Sequence, residues 1–190
     1  MTAADEPAPG EQQLILEAKA GSHRAFRSLV ERHMRQTYNI AFGFVGDHDG
    51  AEDIVQEVFV KVHASLSSFR GEAEFSTWLY RITTNIALNH LKQRKRNKER
   101  TVDVMDAAAM NIAAHDHHLD DLDRRAHIER ALHELPTLQR AVVILRHIDG
   151  LSTRQVSQIL KCSEGTVKTH LFRGLKKMRS KLMYLQEAGA

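Results

Sequence analysis

From Asp149 to Met178 the chain reads DGLSTRQVSQILKCSEGTVKTHLFRGLKKM, two amphipathic stretches on either side of a three-residue break, the second loaded with cations. Lys, Arg and Thr on one helix face can reach phosphates and base edges in a groove, and an outward aromatic edge can meet a thymine methyl. The spacing predicts a helix-turn-helix. Ser152 caps the first helix with Gln155 at the capping-box offset, Val156, Ile159 and Leu160 form its inner face, and Lys161, Cys162 and Ser163 make the turn. Ser163 caps the second helix, where Val167, Leu171, Leu175, Met178 and Leu182 recur at helical spacing and face inward. That leaves Lys168, Thr169, Phe172, Arg173 and Lys176 outside. The plainer alternative is a basic surface helix of an all-α protein.

Elsewhere the charge is segregated. Lys92, Arg94, Lys95, Arg96, Lys98 and Arg100 form one basic run and Lys168 to Lys181 a second, whereas Asp47, Asp49, Glu52, Asp53 and Glu57 form an acidic patch. The net charge of +3 therefore hides faces suited to different partners. There is no phosphate-cradling glycine loop, no HExxH and no nucleophile with an evident base, so neither an enzyme nor a cofactor is expected. Cys162 is the only cysteine, which excludes an internal disulfide and makes the cytoplasm the expected compartment. No apolar run approaches the roughly 20 residues that span a bilayer, and Met1 to Gly10 lacks the basic-then-apolar pattern of a signal.

Helical rhythm organises the rest. Residues 1–10 are expected to be disordered, and Glu11 to Ala20 reads as a short helix. Ser22 caps a long one with Phe26, Leu29, Val30, His33, Thr37, Ile40, Ala41 and Phe44 on one stripe, ending at the Gly46 to Gly50 turn. A third helix carries Ala51, Ile54, Val55, Val58, Phe59, Val62 and Leu66 inward. After a loop from Leu66 to Glu74, Phe75 to Arg96 reads as a fourth helix with Leu79, Ile82, Ile86 and His90 inward, and Thr77, Arg81, Thr84, Asn85, Leu88 and Lys92 on the other side. Four amphipathic helices can close one core. The rhythm fails over 97–121 and resumes through Leu122, Ala126, Ile128, Leu132 and Leu135. Pro136 opens a further helix, Thr137 to Ile148, whose Ala141, Val142, Ile144, Leu145 and Ile148 supply a second core. The expected fold is all-α: a four-helix domain at 11–96, a flexible acidic linker at 97–121, and a helix-turn-helix domain at 122–185.

The strings AEDIVQEVFVKV at Ala51 to Val62 and FRGEAEFSTWLYRITTNIALNHLKQRKR at Phe69 to Arg96 resemble the region-2 blocks of bacterial sigma factors of the extracytoplasmic-function group. ELPTLQRAVVILRHIDGLSTRQVSQILKCSEGTVKTHLFRGLKKMR at Glu134 to Arg179 resembles region 4 of the same family. LuxR-type regulators, which bind operator DNA without becoming a polymerase subunit, carry GLS and GTVKTHL pieces very similar to those of the second string; the first string discriminates. A helical adaptor that binds only protein is a further alternative.

The resemblance implies a subunit of RNA polymerase that recognises a promoter at two elements. Asp53, Gln56, Glu57 and Val60 match the helix that docks on core polymerase. Phe69, Arg70, Gly71, Glu72 and Ala73, with Arg81, Asn85 and Lys92, match the −10 element reader, whose loop takes a flipped base of the non-template strand and needs stacking surface and amide hydrogen bonds. Phe75 and Trp78 read as core, and Tyr80 is ambiguous. Lys168, Thr169, Phe172 and Arg173 fall toward −35 bases, and Arg154 and Lys176 toward phosphate. Gly165 would allow close backbone approach. Lys168 where the family often has Arg, and His170 where it often has a cation, weaken bidentate readout. The resemblance also implies an anti-sigma partner. Asp103, Asp106, Asp116, Asp120, Asp121 and Asp123 make the linker acidic, a mimic of RNA or a plain tether; His115, Asp116, His117 and His118 lack a scaffold for a metal site, and no metal is expected.

Overall fold

In a computed structural model the described residues are 10–101 and 121–187, and among them there are helices and no strands. The expected disordered start, most of the linker and its His cluster lie outside them. The order is α1 (Glu11–Lys19), α2 (His23–Val45), α3 (His48–Ser65), a 3-10 turn (Leu66–Ser68), α4 (Phe75–Thr101), α5 (Asp121–His133), α6 (Thr137–Val143), α7 (Thr153–Leu160) and α8 (Glu164–Glu187).

The first four helices form because local signals and the apolar stripe agree. Ser22 Oγ accepts from the Ala25 N–H at 3.3 Å, and Asp47 Oδ1 from the Gly50 N–H at 2.8 Å, so the starts of α2 and α3 are both capped. Between them Gly46 adopts φ +79° and its N–H closes on the Phe42 carbonyl at 2.8 Å, a left-handed stop that an L side chain disfavours. Leu29, Ile40, Ala41 and Phe44 of α2 meet Ala51, Ile54, Val58 and Val62 of α3 and Phe75, Leu79 and Ala87 of α4, all buried. Leu14 and Ile15 dock α1 on α2, and Glu11 Oε1 lies 2.8 Å from His33 Nε2.

Two differences from the sequence reading concern α4. Its helix runs on to Thr101 rather than stopping at Arg96, in a stretch without Pro or Gly to break it. Thr77 and Thr84 are buried and Leu88 half-buried, so the outer face narrows to Arg81, Asn85 and Lys92.

In the second unit Ala131, Leu132 and Leu135 of α5 and its exit turn join Ala141 to Leu145, Val156, Ile159, Val167 and Met178 in the core. Ile128 and Ile148, both expected inside, are exposed. Ile148 is displaced because the end of α6 widens into a π-turn, Ile144–Ile148, with the Asp149 N–H reaching back to the Ile144 carbonyl at 2.9 Å. The extra residue per turn rotates Ile148 off the core stripe. Ser152 and Gln155 make the capping box reciprocally, at 3.2 and 2.8 Å, and Lys161 turns the chain in a left-handed conformation.

The two helical domains are both present, and they also touch one another. The units pack along a seam, α2 against α5 and the π-turn, and α4 against α7. Arg140 Nη1 donates to the Phe44 carbonyl at 2.7 Å, while Nη2 donates to the carbonyls of His133 and Leu135. Gly46 lets the His133 ring approach so closely that a Cβ there would stand 2.6 Å from Nε2.

Candidate nucleic-acid and protein interfaces

Asp53, Gln56, Glu57 and Val60 share the outer face of α3 and all are exposed, Val60 at 70%. A single exposed apolar residue among carboxylates is ordinary on a solvated helix face, so exposure alone does not assign the ridge a partner. Helix α4 braces this ridge from the side. His90 Nε2 lies 2.8 Å from Glu57 Oε2, and Arg94 Nη1 donates to Asp47 Oδ2 at 2.7 Å. His90, read from the sequence as a core residue, is thus a rim residue tied to the acidic face. Burial works against ionisation of Asp47, but the hydrogen bonds from Arg94 and Gly50 and the nearby positive charge outweigh it and hold the carboxyl below its ordinary range.

The loop after the 3-10 turn is built from an aromatic anchor and an open tip. Phe69 is only 8% exposed, and its ring packs at 5.1 Å from Trp78 and edge-on at 5.6 Å from Phe75. Phe69 therefore anchors the loop, with its small exposed remainder on the wall of the adjoining cavity, while Phe75 and Tyr80 belong to the core. Arg70, Gly71, Glu72 and Ala73 are exposed, the chain turning at Gly71 with φ +73°. They border a cavity of about 610 Å³ whose far wall is Trp78 and Arg81 of α4 and, from the other unit, Gln158 and Ile159 of α7. Sequence reasoning missed the α7 wall, which only the seam creates. From the cavity Arg81, Asn85 and Lys92 run along one exposed face of α4 toward the basic tract, a track for phosphates.

The outer face of α8 matches its sequence reading residue by residue: Lys168, Thr169, Phe172, Arg173 and Lys176 are exposed, Phe172 at 69%. Ser163 Oγ accepts from the Thr166 N–H at 3.1 Å, and Thr169 Oγ1 donates to the Gly165 carbonyl at 2.9 Å. Arg154 is exposed on α7. Close packing falls at Gly174 rather than Gly165: a Cβ on Gly174 would stand 2.8 Å from Val143 Cγ2, whereas Gly165 has room. Together these surfaces are one acidic and two basic, with no His, Cys, Asp or Glu group suited to a metal among the described residues. Among them, too, no helix is long and apolar enough to cross a membrane.

Known proteins are similar to this chain in sequence and fold. Residues 29–97 match the sigma-70 region 2 family and residues 125–178 match sigma-70 region 4. The RNA polymerase sigma-H factor of Pseudomonas aeruginosa is 35% identical over 174 residues, 86% of this chain and 89% of the relative. The ECF RNA polymerase sigma-E factor of Escherichia coli is 32% identical over 183 residues, covering 92% and 95%. Among solved structures, the sigma factor RpoE in complex with the anti-sigma factor NepR from Bartonella quintana superposes with a TM-score of 0.68 at 25% identity, covering 83% of this chain and 96% of that one. CnrH in complex with the cytosolic domain of CnrY gives 0.64 at 26% identity, covering 95% and 99%. With both DNA-facing regions matched in order and relatives aligned over nearly their full length, the chain belongs to the sigma-70 family as a transcription initiation factor of the extracytoplasmic-function group.

Proposed function

We propose that the three exposed surfaces divide the work of this sigma factor among named residues. The α3 ridge of Asp53, Gln56, Glu57 and Val60 docks on core polymerase. Arg70 to Ala73, carried on the buried Phe69, take an unpaired −10 base while Arg81, Asn85 and Lys92 track the strand. Lys168, Thr169, Phe172 and Arg173 face −35 bases in the major groove, and Arg154 and Lys176 face phosphates. The functional units are residues 11–96 and 122–185, joined by the segment 97–121. The protein acts in the cytoplasm under an anti-sigma protein, as the complexes of RpoE and CnrH suggest by analogy. A LuxR-type regulator is set aside because the match extends over residues 29–97, far outside the helix-turn-helix.

The observation that carries this reading is the coincidence of family match and exposure. Every residue assigned on α3 and α8 faces solvent from a helix whose opposite side is buried. Promoter elements centred roughly 25 base pairs apart are about 80 Å apart along the duplex, whereas a compact chain of this length has a radius of gyration of about 16 Å. The packed units must therefore part along their seam before both elements are held at once.

Run-off transcription with core polymerase over a promoter library tests the whole. Wild type directs initiation from a subset of templates; Asp53→Arg with Glu57→Arg abolishes both initiation and core association at unchanged helix content. Retained pull-down of core by the double variant removes the docking role from α3.

A further inference from the structure

Helix α1 lies outside the region-2 match, yet its last residue reaches the loop assigned to the −10 base. Lys19 Nζ donates to the carbonyl of Phe69, and the ammonium sits 5.7 Å from the centroid of the Phe69 ring. The base of this lysine is fixed. Leu14 and Ile15 are buried against α2, and the α1 terminus is closed by backbone bonds from Ala20 to Leu16, Gly21 to Ala18 and Ser22 to Glu17 at 3.0 to 3.1 Å. The target is fixed on its other side, because the Phe69 N–H bonds the Leu66 carbonyl at 3.1 Å and its ring is wedged between Phe75 and Trp78. From Arg70 to Ala73, by contrast, the one side-chain tie described is the Arg70–Glu72 pair at 3.8 Å, with both partners about four-fifths exposed. An exposed pair of that kind holds a loop weakly.

We propose that Lys19 is a positioning residue for base reading at −10: by holding the Phe69 carbonyl and ring it sets where the exposed tip starts, and so where the base pocket lies. A cation bonded to a carbonyl and seated on a ring resists movement in two directions, through a charge-assisted hydrogen bond and through the ring quadrupole. Arg70 to Ala73 inherit their orientation from that hinge at one end and from Glu74, whose carbonyl accepts the Trp78 N–H at 3.1 Å, at the other. Lys19 does not line the cavity and acts through Phe69. The inference rests on the assignment of the loop as the −10 reader.

The chain carries its own reporter, since Trp78 is the only tryptophan and touches the Phe69 ring. Full-length Lys19→Met and Lys19→Arg are compared with wild type for binding a single-stranded oligonucleotide from the −10 region of a promoter recovered by transcript sequencing, together with versions changed at each base. Lys19→Met is expected to shift Trp78 emission and to lower the ratio of matched to mismatched affinity about tenfold, while Lys19→Arg keeps the ratio near wild type. A uniform loss on every oligonucleotide assigns Lys19 to general charge and overturns the positioning role, as does an unchanged ratio. Arg70→Ala with Glu72→Ala separates the two levels. If that variant loses the ratio and Lys19→Met keeps it, only the lysine's role fails; if neither loses it, the loop is not the reader.

Discussion

The outer face of α8 and the Arg70–Ala73 tip of the loop are both exposed, yet they are held in different ways. The α8 face is a regular helix whose inner side, Val167, Gly174 and Met178, is keyed into α6 and α7. Its five outward residues need nothing from the other unit. The loop is an irregular segment hung between an aromatic anchor and the start of α4, and part of its cavity wall belongs to α7 across the seam. A preformed helix suits a duplex whose groove edges are already displayed; a loop suits a base that appears only once the strands part. The α8 face is complete within its own unit and the loop's cavity is partly walled by the other, so the seam bears on the proposed −10 site alone.

The sharpest way to break this contrast is to unseat α8. Gly174→Val places a branched side chain where even a Cβ would stand 2.8 Å from Val143 Cγ2 and 3.5 Å from the Gln139 carbonyl. Overpacking of a dry helix contact costs roughly 2–3 kcal/mol, and duplex binding at −35 falls with it. Circular dichroism melts and duplex titrations check this; a stable variant that still binds duplex would show that α8 does not depend on its keyed packing.

Opening the seam is the complementary test. Arg140→Ala strips the guanidinium from the carbonyls of Phe44, His133 and Leu135, at a cost of about 2 kcal/mol for charge-assisted bonds in a half-buried site. The expected result is a larger radius in small-angle scattering and tighter binding of single-stranded DNA, with −35 duplex binding unchanged. An unaltered radius would mean that apolar contacts such as Gly43 on Ile144 hold the units without the arginine. Arg173→Ala leaves the seam alone and removes the proposed base contact, so discrimination among −35 sequences is expected to drop by about 1–3 kcal/mol. Equal weakening on all sequences would move Arg173 to the phosphates.

Those surfaces differ, too, in how far the residues themselves announced them. The α8 face and the Ser152–Gln155 capping box were readable because period, cap and turn residues all agree over a short span. A binary pattern counts hydroxyls as polar and so puts Thr77 and Thr84 outward, whereas both are buried. Thr83 shows how such a residue lives inside a helix bundle, with Oγ1 bonded to the Leu79 carbonyl at 2.9 Å. The π-turn that exposes Ile148 leaves no trace in periodicity, since one extra residue at a helix end resembles an ordinary stop. The seam was invisible for another reason: Gly43, Gly46, His133 and Arg140 each have an adequate role on their own element, and only three-dimensional proximity joins them. Gly43, a glycine inside a strongly periodic helix, was the one available hint of close approach.

The seam also carries two titrating groups that pull in opposite directions. Burial pushes the Asp149 carboxyl up to about 6 from 3.8, with Oδ2 shut away from solvent and unpartnered, and its charge in turn adds to the burial that raises the neighbouring Tyr80 phenol to about 12. The folded chain thus keeps a proton on Asp149 that the unfolded chain releases above 3.8, so stability falls as pH rises through that window and the loss is complete above about 6. His133 is the reverse case: burial, then the Arg140 charge, lowers it from 6.5, and acidification below 6.5 favours the unfolded chain, which takes the proton more readily. Asp149→Asn is therefore expected to raise stability at pH 7 by on the order of 1 kcal/mol after solvent screening. It should leave the acid-side decline due to His133 and Asp47 intact. Denaturant titrations from pH 4 to 8 decide it: a variant whose curve parallels wild type throughout would place the proton linkage somewhere other than Asp149.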